Sequence, residues 1–72
     1  MKLNMRLEDA MVYVLVTNGR GMTTEQLTEI INRDKMHVRL DGNPVSSRQV
    51  YAIVCRNPGV FVKEGGRILL VM

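Results

Sequence analysis

The side chains in this chain able to do covalent or acid–base chemistry are few: one histidine, His37, one cysteine, Cys55, the adjacent serines Ser46 and Ser47, and 7 carboxylates. A hydrolytic site would set Ser46, Ser47 or Cys55 beside His37, with a third group to orient the imidazole. Nothing in the spacing brings such partners together. His37 stands in an irregular stretch and is expected to be a solvated loop residue. The serines are explained by the helix start they introduce. Cys55 reads as a small, buried or half-buried apolar side chain. One Cys and one His cannot make a tetrahedral zinc set. The segments "GRG" and "EGG" lack the strand-to-helix setting of a phosphate-cradling loop. The expectation is no catalytic residue, no metal, no cofactor and no small-molecule substrate.

The second chemistry that these residues allow is recognition of a polyanion. Lys and Arg number 10 against 7 Asp and Glu, for a net charge of +3. That bias is modest, so placement has to carry the argument. In "SSRQVYAIVCR", Ser47 and Arg48 fall at a helix start, where backbone amides point outward toward an anion. Arg48 and Gln49 are the side-chain types whose geometry matches guanine and adenine edges respectively. Tyr51 is placed to touch phosphate. Lys63 and Arg67, either side of a Gly-Gly turn, would add phosphate contacts, with Lys35 and Arg39 as outliers. The expected ligand is double-stranded DNA. A competing surface lies on the same helix, where Tyr51, Ala52 and Cys55 form a shallow apolar strip suited to a protein partner.

These residues need elements to position them, and the apolar periodicity supplies them. Leu7, Met11, Val14, Leu15 and Asn18 recur at helical spacing before "NGRG" ends the run. Met5, Val12 and Val16 fall on the opposite side, a second apolar face that the C-terminal strands are expected to cover and that otherwise suits homodimer formation. A second helix opens at "MTTEQL", with Thr23 as N-cap, Gln26 completing a capping box, and Met22 and Leu27 as a hydrophobic staple. Its inward face is Leu27, Ile30 and Ile31. Residues 34–44 read as a loop with a possible short extended segment, Met36, Val38 and Leu40 alternating with His37 and Arg39, before the turn signal "DGNP". Ser46 and Gln49 then form a second capping box, with Val45 and Val50 as its staple, and a third helix runs from Ser47 to about Arg56. Its inward face, Val50, Ile53 and Val54, leaves Arg48, Ala52 and Cys55 pointing outward, flanked by Gln49, Tyr51 and Arg56. "VFVKEGGRILLV" is a hairpin turning at Gly65 and Gly66.

Three helices and a C-terminal β-hairpin define an α+β fold, a small winged helix-turn-helix whose hairpin is the wing. At 72 residues the chain makes one domain. A core of this size contributes only a few kcal/mol, on the order of 3–5, and no internal disulfide supports it. The longest apolar run, Ala10 to Val16, is far too short for a membrane span, and Glu8 and Asp9 interrupt the amino terminus before any signal core. A cytoplasmic location is expected.

The segments "TTEQLTEII", "VRLDGNPVSSRQVYAIVCRNPGVF" and "GGRILL" resemble the HARE-HTH group of winged-helix domains. In that group a "DG-x-P-V" turn leads into the third helix, and a proline and a phenylalanine precede the hairpin. The similarity spans Leu7 to Leu70. It implies a DNA-associated module in a transcription, chromatin or DNA-modification setting.

Overall fold

The computed structural model describes residues 5–71. Three helices, α1 (Leu7–Asn18), α2 (Thr24–Arg33) and α3 (Ser47–Arg56), are followed by strands β1 (Phe61–Glu64) and β2 (Arg67–Leu70). This is a winged helix-turn-helix topology.

Local chemistry sets the helix boundaries. In α2 the amide of Gln26 donates to Thr23 Oγ1 (3.1 Å) while the Thr23 amide donates to Gln26 Oε1 (3.0 Å). In α3 the Gln49 amide donates to Ser46 Oγ (3.2 Å) and the Ser46 amide to Gln49 Oε1 (3.0 Å). Each box satisfies two amides that a helix start leaves without a partner, and its serine or threonine contributes about 1 kcal/mol. The staple residues Met22, Leu27, Val45 and Val50 are all buried. Helix α1 has no side-chain cap at Arg6, but Glu8 and Asp9 in its first turn lie against the positive end of the helix dipole.

Every element sends a fully buried side chain to one core: Met11 from α1, Leu27 and Ile31 from α2, Val50 from α3, Phe61 from β1 and Ile68 from β2. The strands are antiparallel, in the register Phe61↔Leu70, Val62↔Leu69, Lys63↔Ile68 and Glu64↔Arg67. Gly65 and Gly66 both take positive φ, 58° and 80°, as a tight two-residue hairpin turn demands. The loop between α1 and α2 adds the rudiment of a third strand. The Met22 amide donates to Ile68 O (3.1 Å) and the Ile68 amide to Met22 O (2.7 Å). Gly21 permits that approach, since a Cβ there would lie 3.0 Å from Leu69 Cγ, 3.1 Å from Arg67 Cβ and 3.3 Å from Ile68 O.

Several expectations need correction. Met5 is not part of the first helix; it precedes α1 as extended chain, its amide donating to Met36 O (2.9 Å). His37 is half-buried rather than solvated, with Nδ1 2.6 Å from Met5 O, so the tautomer with a proton on Nδ1 fits. Asn18 is exposed, and Ala10 in place of it belongs to the buried face of α1. The alternation of Met36, Val38 and Leu40 does not become a strand. Met36 is buried and Leu40 fully exposed, because a turn closed by Gly42 N–H donating to Arg39 O (3.0 Å) intervenes. The second face of α1 is covered in part: Val12 packs on the core, while Val16 stays exposed beside a shallow cleft it shares with Leu15, Leu69 and Leu70. Among the described residues no helix is long and apolar enough to cross a membrane.

Candidate nucleic-acid interface

The position of α3 is set from both ends. Upstream, Asn32 in the last turn of α2 clamps the backbone of Val45: its Nδ2 donates to Val45 O (2.8 Å) and its Oδ1 accepts from Val45 N–H (2.9 Å). Val45 immediately precedes the N-cap Ser46, so the clamp fixes where α3 begins. Downstream, the Asn57 side chain closes the helix by donating to Ile53 O (2.8 Å), and Phe61 anchors the hairpin in the core beside it.

With Val50 and Val54 inward, Arg48, Tyr51, Cys55 and Arg56 are exposed, and Ser47, Gln49 and Ala52 are half-buried. The buried or half-buried role expected of Cys55 is therefore incorrect. The helix is a single layer on the core, and position 55 falls on its outer side. The side chains of Arg48 and Arg56 form no hydrogen bond or ion pair with the rest of the described chain. Helix α3 contains no carboxylate.

The wing meets this face at Lys63. Lys63 Nζ sits over the Tyr51 ring, 4.9 Å from its centroid, a cation–π geometry worth about 0.5–1 kcal/mol at an exposed site. Strand alternation explains the placement. Lys63 is two residues from the buried Phe61 and opposite the buried Ile68, so it leaves the ribbon on the side that packs against α3. Glu64 and its partner Arg67 leave on the other side. Arg67 Nη1 donates to Gly21 O (3.2 Å), tying the wing to the α1–α2 loop rather than to the front of α3.

Gln49 is also engaged. Its Oε1 accepts from the Ser46 amide, from Ser46 Oγ (3.4 Å) and from Arg39 Nη1 (3.2 Å). Arg39 in turn pairs with Asp41 (2.7 Å). The Asp41 carboxyl is held below its usual range, chiefly by the Asn43 backbone N–H and also by the Arg39 charge. These bonds tie the turn at residues 39–42 to the first turn of α3. Of the residues singled out from sequence, the fold thus gathers Ser47, Arg48, Tyr51 and Lys63 on one open face with Ala52 and Cys55. It assigns Gln49 and Arg67 bracing contacts. The outlier Lys35 takes a φ of 50° at the end of α2 and is exposed.

Sequence reasoning overlooked the Asn32 clamp, the Met22 bridge and the coupling of Tyr51 to Lys63. The last was legible in principle, since strand parity from Phe61 puts Lys63 on the inner side and Arg67 on the outer. Among the described residues there is no cluster of three or more His, Cys, Asp or Glu able to hold a metal ion. Compared with known protein families, with curated proteins and with solved structures, the chain matches none.

Proposed function

We propose that this chain is a non-catalytic module that binds double-stranded DNA, with the first turns of α3 in the major groove and the inner side of the wing along the neighbouring backbone. The resemblance to the HARE-HTH group supports a transcription or DNA-modification setting for it. The observation that carries the reading is the Lys63–Tyr51 contact, which brings the wing cation to a helix face bearing Arg48 and no carboxylate. In this reading Arg48 reaches a guanine edge, the amide of Ser47 and the hydroxyl of Tyr51 contact phosphate, and Lys63 neutralises a second phosphate. Gln49 and Arg67 hold the surface in shape. Arg56 flanks it and, with Lys63, brings the phosphate-neutralising cations on this side to about two, for a log–log salt slope of roughly −1.8.

Binding of a mixed-sequence duplex, followed by fluorescence anisotropy across a salt series, tests this. Changing Arg48 and Lys63 together to alanine should weaken binding at every salt concentration and bring the slope to roughly −0.9, one counterion-releasing contact fewer. A double variant with wild-type affinity and slope defeats the reading. So does an absence of duplex binding at low salt.

A further inference from the structure

The most exposed large apolar side chain in the described chain is Leu40, at 109% of its reference surface. It does not hang on a loose loop. Gly42 N–H closes the turn onto Arg39 O (3.0 Å), Asp41 Oδ1 accepts from Asn43 N–H (3.0 Å), and the Arg39 guanidinium spans Asp41 (2.7 Å) and Gln49 (3.2 Å). A turn tied at this many points holds Leu40 away from the core, where folding alone would favour burying it. The bond from Arg39 to Gln49 ties the turn to the first turn of α3, the turn that also carries Arg48.

The charge around Leu40 selects among apolar partners. The adjacent carboxylate, Asp41, is paired with Arg39, and the α3 turn to which this loop is tied carries the unpaired Arg48 and no carboxylate, so the surroundings favour a phosphate-lined groove. Within a major groove, the apolar feature offered by base edges is the thymine C5-methyl group. We infer that Leu40 is a base-contacting residue that packs on a thymine methyl beside the α3 site. This rests on the DNA-binding reading above and adds a base preference to it.

Leu40→Ser should leave the melting temperature unchanged, since the side chain buries nothing on folding. It should weaken binding to a thymine-containing duplex about tenfold, the lower end for burying a leucine. Replacing every thymine of that duplex by uracil removes the methyls. The wild-type protein should lose about fourfold in affinity, the value of one buried methyl, and Leu40→Ser should lose nothing further. Equal losses in the two proteins, or wild-type affinity in Leu40→Ser, overturn the inference while the DNA reading stands. Failure of the wild-type protein to bind either duplex at low salt removes both. If sedimentation shows self-association that Leu40→Ser abolishes while duplex affinity is unchanged, Leu40 belongs to a protein contact and the inference fails.

Discussion

Replacing Asn32 by alanine should cost far more than a half-buried polar side chain ordinarily does. The side chain makes two hydrogen bonds across 13 residues of sequence, both to the backbone of Val45. Val45 is only 3% exposed, so its N–H has little access to water once Oδ1 is gone. A buried donor left without a partner costs about 1–3 kcal/mol. Loss of the bond to the Val45 carbonyl adds about 0.5 kcal/mol, the lower end for a single hydrogen bond. We take about 2 kcal/mol in total, which for a domain of this size lowers the melting temperature by roughly 8–16 °C. Circular dichroism melts of the wild type and Asn32→Ala measure this directly. Asn32→Asp separates the two bonds. Its carboxylate still accepts from Val45 N–H but sets an oxygen against Val45 O, so at neutral pH it should be at least as destabilised as the alanine variant. Protonation supplies the missing donor, so stability should return as pH falls through about 4–5, the range of a carboxyl whose neutral form is favoured. A melting shift under about 2 °C in Asn32→Ala, with no acid recovery in Asn32→Asp, would refute the clamp as the determinant of where α3 begins.

Gly21→Ala should destabilise by about 1–2 kcal/mol, because Leu69 can rotate away from the new methyl but Arg67 Cβ and Ile68 O cannot. Hydrogen exchange should accelerate at the amides of Met22 and Ile68, and unchanged exchange there would refute the close-approach argument. For Asp41 the sign follows from its lowered pKa: a carboxyl favoured in its charged form when folded stabilises the turn above its ordinary value of 3.8 and loses that contribution as pH falls through the lower folded value. The Asn43 amide resonance should titrate with a midpoint below 3.8, and a midpoint at or above it would contradict the bond to Asp41.

What the sequence made legible is what acts over a few residues. The two capping boxes place the starts of α2 and α3 because their donors and acceptors lie three positions apart. Helical spacing marks Met11, Val14, Leu27, Ile31, Val50 and Val54 as core, and all are buried. The dipeptide Gly65-Gly66 locates the hairpin turn. The features missed are those joining distant positions. Asn32 reads as a surface residue ending a helix until the chain returns to it at Val45. His37 looks solvated until the segment before α1 is laid against it. Cys55 was misjudged for a different reason: apolar character argued for burial, whereas its helix angle already placed it outside, and geometry prevailed.

The same division bears on how DNA recognition by this domain would work. A reading helix needs side chains free at its front, yet Gln49, whose type suits adenine, has its oxygen held by the cap and by Arg39. In the proposed complex Arg48 would be the unpaired polar reader left on α3, and the wing would add Lys63, a point charge with no base code. Affinity built this way comes mainly from phosphate, with discrimination confined to one arginine and the apolar turn beside it. Freeing Gln49 would not sharpen the reading, because the bonds that occupy it also define the helix start and orient Leu40. The Gln49 oxygen is committed to the helix start and to Arg39, so in the proposed complex position would take precedence over base reading at that side chain.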